Sequence, residues 1–202
     1  MKNKIAVFVL VLSFVCGLAY AKDQSVAIHG GWQHTSSSAY GDAGTVSARY
    51  EHRVFQDFWI GPEYTYHGGM SHSNGQDVSY GDVSGHSILG DLVYYPSFVK
   101  AQKIQPYVIG GAGWSFWRFD RSQEVADLGV SVALGDSFSY KAGVGAVYQM
   151  SPSYGLVIEI SFFKSMVPKD ARHADGSESA LLGDDGGKIG EEEIRLTLGI
   201  KF

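Results

Sequence analysis

Cysteine is almost absent from this chain, and so is any second long apolar run. The one cysteine, Cys16, lies within the first 21 residues, so the rest of the chain can form neither a disulfide scaffold nor a thiolate metal site. Val15 before it is a poor residue for lipoprotein processing. After residue 21 no 18 consecutive apolar residues occur, which excludes a membrane-spanning helix there. Proline is scarce at five residues, and basic residues do not outnumber acidic ones, 16 against 21. A nucleic-acid binder needs the opposite balance.

The chain is instead rich in glycine and aromatics, with 26 Gly, 12 Tyr and 11 Phe. Its start has three parts. Met1-Lys2-Asn3-Lys4 is basic, Ile5 to Leu18 is apolar, and Ala19-Tyr20-Ala21 places small residues at the −3 and −1 positions of a cleavage site. Together they read as a secretory signal peptide over residues 1–21. Cleavage after Ala21 leaves 202 minus 21, or 181, residues as one domain, 22–202. Its balance is 14 basic (16 less Lys2 and Lys4) against 21 acidic side chains, a net of −7.

Within that domain the dominant signal is alternation with period two, the mark of strands with one polar and one apolar face. Ile194, Leu196, Leu198, Ile200 and Phe202 form one face of the last segment, and Glu193, Arg195, Thr197, Gly199 and Lys201 the other. Similar alternation starts at Val26, Val46, Phe58, Ile88, Phe138 and Leu156, while the glycine-rich stretch Ile104 to Phe119 shows no clear faces. Pro62 interrupts the third segment, where a bulge or strand end is expected.

Eight strands of about ten residues result, enough to cross a bilayer when tilted. Connections near 54–57, 96–103 and 150–154 are short. Those near 35–44, 68–83, 120–136 and 165–190 are long and polar. This predicts an all-β, closed, antiparallel up-and-down transmembrane β-barrel with short turns in the periplasm and long loops outside. Closure follows from physics: an open sheet edge in hydrocarbon leaves amides unpaired at several kcal/mol each.

The run Ile194 to Phe202 resembles the C-terminal insertion signal of bacterial outer-membrane proteins, in which Ile194, Leu196, Leu198, Ile200 and Phe202 would be read by the barrel assembly machinery. Gln105-Pro106-Tyr107-Val108-Ile109-Gly110-Gly111-Ala112-Gly113 and Lys141-Ala142-Gly143-Val144-Gly145-Ala146 are similar to the glycine-rich strands of small opacity-type barrels. The resemblance implies an eight-stranded barrel in the cell outer membrane. It assigns no activity.

Nine charged residues fall on the non-lipid faces: Arg49, Glu51, Arg53, Glu63, Asp91, Lys141, Glu159, Glu193 and Arg195. An eight-stranded barrel is just wide enough for side chains to fill, so a salt-bridge network closing the lumen is expected. Tyr94, Tyr95, Tyr107 and Tyr148, with Trp32, Tyr66, Trp114, Phe116 and Trp117, are expected to form two interfacial belts.

Other constellations carry less. His67, His72 and His86 flank the second long loop, with Ser71 and Ser73 beside His72. A His-Ser-carboxylate set is the chemistry of acyl transfer. Lipid A deacylases, small barrels of this kind, use a His-x-Ser-Asn motif. His72-Ser73-Asn74 lacks its spacer. Asp170, Asp175, Glu178, Asp184 and Asp185 read as a solvated acidic loop that meets divalent ions held by lipopolysaccharide.

The resulting expectation is a monomeric barrel without catalytic activity, cofactor or metal, with a structural or surface-interaction role in adhesion or envelope integrity. Its expected partners are outer-membrane lipid, lipopolysaccharide and an extracellular partner at the outer loops. A lipid A-modifying hydrolase and a narrow channel for small apolar solutes are the alternatives.

Overall fold

The computed structural model describes residues 23–35, 42–73, 79–99, 103–121, 130–134, 136–173 and 188–202. The expectations for the leader, for Asn74 and for Asp175, Glu178, Asp184 and Asp185 fall outside these residues. The strands are β1 (Gln24–Thr35), β2 (Ala43–Phe55), β3 (Phe58–Ser73), β4 (Ser79–Tyr94), β5 (Ile104–Arg121), β6 (Val130–Leu134), β7 (Ser137–Gln149), β8 (Gly155–His173) and β9 (Lys188–Lys201).

Eight of these form a closed antiparallel up-and-down barrel, as the alternation predicts. Each barrel strand pairs with its neighbour in the chain, and β1 pairs with β9 from Ala27↔Lys201 to Thr35↔Glu193. That last ladder removes both edges of the sheet. The ninth strand, β6, departs from the sequence expectation. It lies in the expected loop 120–136 and pairs with the far end of β8, from Val130↔His173 to Leu134↔Lys169.

The long-loop side also differs from expectation. Much of the predicted loops 68–83 and 165–190 is strand: β3 runs to Ser73, β4 starts at Ser79, and β8 and β9 reach His173 and Lys188. Apolar and polar residues do not alternate in these ends, so period two carries no signal there. The short connections lie where predicted, with a turn at 56–57, a single 3-10 turn at Ser97–Val99, and bends at 151–153.

Pro62 sits at neither a bulge nor a strand end. Pairing of β2 with β3 runs to Arg49↔Glu63 and resumes at His52↔Ile60, while Pro62 stays in register with Gly90 on the other side. The ladder lapses where proline has no N–H to give.

Burial is inverted relative to a water-soluble protein. Ile28, Val46, Ile60, Ile88, Val108, Val144, Ile160 and Leu198 are exposed on the outer wall, whereas Arg49, Glu51, Glu63, Asp91, Lys141 and Glu159 are buried within it. Val26 departs from its expected lipid-facing set, being buried.

Inward glycines give room to a few large side chains. A Cβ at Gly85 would come within 2.6 Å of the Trp117 ring, and one at Gly145 would overlap the Tyr107 ring. Gly30, by contrast, faces open space. Gly145→Val is therefore expected to destabilise the barrel by about 1–3 kcal/mol through overpacking, and Gly30→Ala to stay within about 0.5 kcal/mol of the parent. Guanidinium unfolding in detergent micelles measures both; equal effects would mean that the close approach at Gly145 carries no weight.

Candidate functional site

The lumen is the most structured part of the molecule. At mid-height Arg49 on β2 reaches Glu51 at 2.8 Å, Glu159 at 2.7 Å and Glu63 at 3.4 Å. Lys141 on β7 reaches Glu63 at 2.6 Å, Asp91 at 3.0 Å and Glu159 at 3.8 Å. The Tyr107 hydroxyl donates to Glu159 at 2.8 Å. Ser25 donates to Glu51 at 3.2 Å, and Lys201 bridges Glu51 and the Tyr95 hydroxyl at 2.5 Å each.

Ser25, Arg49, Glu63, Asp91, Tyr107, Lys141, Glu159 and Lys201 come from the eight barrel strands in turn, one from each. Alternation puts each on the inner face, and the narrow barrel brings them into contact. Buried charges at this density survive only when each meets an opposite charge or a hydrogen-bond partner. Asp91 is the least provided: neither carboxylate oxygen accepts a hydrogen bond from a described residue, and Lys141 is its one ion-pair partner among them.

Toward the long-loop end a second cluster follows. Arg195 donates to Glu193 at 2.9 and 3.1 Å, and its guanidinium lies 3.5 Å over the Phe163 ring. His67 is held between Gln33 at 3.1 Å and Ser87 at 3.0 Å. Above it the Trp117 indole N–H donates to Ser165 at 3.1 Å. Toward the short-turn end the interior is apolar, with Val93, Ile109, Val147 and Val157 packed around Tyr95 and Tyr107.

Of the nine lumen charges expected from the sequence, Glu51, Glu63, Asp91, Lys141, Glu159 and Arg49 meet in the central cluster, and Glu193 and Arg195 in the upper one. Arg53 belongs to neither. Its side chain is 40% exposed, ion-paired with Asp23 at 3.2 Å, and lies 4.8 Å over the Trp59 ring. It sits at the mouth, where the β2–β3 register shifts between Arg53 and Phe55. Lys201 is the residue sequence reasoning missed. It shares the parity of Arg195 in the last strand, and that was the available signal.

The aromatic belts need correction as well. Tyr95, Tyr107 and Trp117 are buried in the lumen, because their neighbours on the opposite parity, Tyr94, Val108 and Phe116, take the outer wall. Trp32, Tyr66, Trp114, Phe116 and Tyr148 are exposed on the outside, as are Ile194, Leu196, Leu198, Ile200 and Phe202 on and after β9.

His67 and His86 do not converge. His67 faces in, and His86 faces out against Tyr64 at 2.5 Å. His72 and Ser73 end β3, opposite Gly81 and Ser79. Ser87, His67 and Gln33 form a Ser-His-amide arrangement that sequence reading did not find. All three are fully buried. No group of three metal-ligating side chains occurs among the described residues.

No family model and no curated protein matches this chain. Solved structures do. The outer membrane protein OprG from Pseudomonas aeruginosa is 13% identical with a TM-score of 0.65, over 92% of this chain and 99% of that one. Neisserial surface protein A is 14% identical with a TM-score of 0.60, over 88% and 95%. A major outer membrane protein from Thermus thermophilus is 12% identical with a TM-score of 0.59, over 89% and 98%. At these identities the likeness is one of fold.

Removing a cation from the central cluster strands buried carboxylates. Lys141→Met is expected to cost about 3–5 kcal/mol, and Arg53→Met at the mouth about 1 kcal/mol or less. Denaturant unfolding of the two variants in the same micelles compares them; parity between them would contradict a cluster that holds the interior.

Proposed function

We propose that this chain is an integral outer-membrane β-barrel whose lumen is closed by its charged side chains and whose long-loop end serves structural or surface interactions. The observation that carries the reading is the inverted burial: paired charges fill the interior, while alternating apolar residues cover the outside of all eight barrel strands. Such a surface is unstable in water and suited to hydrocarbon. The leader-like residues 1–21 and the aromatic Phe202 fit export and insertion by the barrel assembly machinery.

Strand length supports a projecting end. β8 has 19 residues and β5 has 18, whereas about 9–11 suffice to cross a bilayer. At about 3.3 Å per residue and a tilt near 40°, β8 is roughly 48 Å tall, about 20 Å more than an apolar band of about 25 Å. Trp32, Tyr66 and Phe116 lie near the band's upper limit, with the exposed Lys164–Glu192 pair at 2.8 Å. That composition suits contact with lipid headgroups and lipopolysaccharide. The barrel closes on itself, which favours a monomer.

The channel alternative asks for a gap that the Arg49 and Lys141 clusters occupy. The hydrolase alternative asks for an accessible nucleophile near the outer leaflet, which the buried Ser87 does not supply. The protein is expected to sediment with outer membranes and, in planar bilayers, to hold the current at baseline. Large, stable openings by the unaltered protein would refute the closed lumen. Leu198→Arg on the outer wall is expected to cost about 2–4 kcal/mol in vesicles, read by urea unfolding; an unchanged midpoint would contradict burial of that face in lipid.

A further inference from the structure

Below the central cluster the lumen opens, at the short-turn end, into a vestibule of about 580 Å³. That lies within the size range of small-molecule sites, about 300–1,000 Å³. Lys201 and Tyr95 lie at its inner end, and the three short turns form its rim.

The rim is braced before any ligand arrives. The backbone N–H of Arg53 donates to the Asp23 carbonyl at 2.9 Å, that of Tyr95 to Asp57 at 2.8 Å, and that of Gln149 to Lys103 at 2.7 Å. The Ser97 N–H also donates to the Asp57 carboxylate at 3.3 Å. A site held this way loses little freedom on binding.

The charged side chains that line the vestibule are already engaged. Arg53 pairs with Asp23 and Lys201 with Glu51, while Asp57 is held by the Ser97 amide. Among the side chains that line the vestibule, a phosphate or another ion therefore meets no unpaired charge. What remains unspent is amide. Gln24 at the start of β1, Gln56 in the first turn and Gln105 in β5 line the vestibule from three places on the rim, and none makes a side-chain hydrogen bond to another described residue. Each amide is donor and acceptor at once, as is a sugar hydroxyl. Tyr154 adds a ring that is 42% exposed at the rim.

We propose that this vestibule binds a short, neutral, hydroxyl-rich glycan, with Gln24, Gln56 and Gln105 taking its hydroxyls and the Tyr154 ring packing against a sugar face. The function proposed above enters only in naming the supply: in that orientation the vestibule faces the cell wall.

The full barrel in nanodiscs, with labelled glutamine side-chain amides followed by NMR, provides the test. The probes are chitotriose, which carries acetamido groups as wall glycan does, and maltotriose, which does not. Saturable shifts of the Gln56 and Gln105 amides are expected. The double variant Gln56→Ala, Gln105→Ala, read at the remaining Gln24 amide, should bind about tenfold more weakly, and His86→Ala on the outer wall should bind as the parent does. Gln105→Glu supplies a second variant should the double one not fold. Binding of chitotriose alone identifies wall glycan as the source, and equal binding of both supports free sugars. No saturable shift with either probe, or binding indifferent to both glutamine changes, overturns the proposal. Membrane fractionation is read separately, so either result stands without the other.

Discussion

Everything in this molecule depends on pairing β1 with β9. Once Ala27 to Thr35 lie against Glu193 to Lys201, the wall has no edge and its circumference is set at eight strands. A barrel of that size encloses a space too narrow for a wide water channel and too wide to stay empty. Half of every strand's side chains must then pack inside a tube whose outer face is reserved for apolar groups. The interior composition follows from that geometry.

The solution is uneven. A few large or charged side chains take the space, and glycines give it up. Trp117 lies against Gly85, Tyr107 against Gly145, and the Asp91 carboxylate against Gly111. At these inner-face positions glycine is a packing device, directly opposite the aromatic or charged residue on the neighbouring strand. Charges can be used at all because they converge. Glu63 is shared by Arg49 and Lys141, and Glu51 by Arg49 and Lys201, so loss of one cation leaves more than one carboxylate exposed to an apolar interior. Partners 110 and 150 residues apart in the chain, Arg49 with Glu159 and Glu51 with Lys201, tie β2 to β8 and β9 across the lumen.

The barrel was legible in the sequence because a wall with apolar groups outside and packed polar groups inside shows period two. β9 shows this most plainly, since every second residue from Ile194 to Phe202 is apolar and exposed. Legibility failed where that contrast fails. β5 has glycine or alanine at four successive positions, Gly110 to Gly113, so neither parity looks apolar, and Tyr107 and Trp117 could be taken for belt residues. The outer ends of β3, β4, β8 and β9 do not alternate apolar with polar residues and read as loops. β6 is five residues long and pairs with a segment 35 or more positions away, a contact that local pattern does not encode. Membership of the charged clusters was readable from parity. Which charges meet was not, because that depends on height within the barrel: Arg53 shares a face with Arg49 but sits four residues lower, at the mouth.

Height also separates what the two ends can do. Below the Glu51–Lys201 pair the turns are short and cross-braced by backbone hydrogen bonds, so the short-turn mouth is a fixed polar bowl. Above the Glu193–Arg195 pair the strands continue well beyond the length a bilayer requires. The two clusters stand between these ends. The barrel thus carries two separate ends on one support. Changes at the loop end that leave Glu193 and Arg195 in place can alter surface contacts without disturbing the bowl. The bowl in turn is separated from the loop end by buried ion pairs that are costly to rearrange.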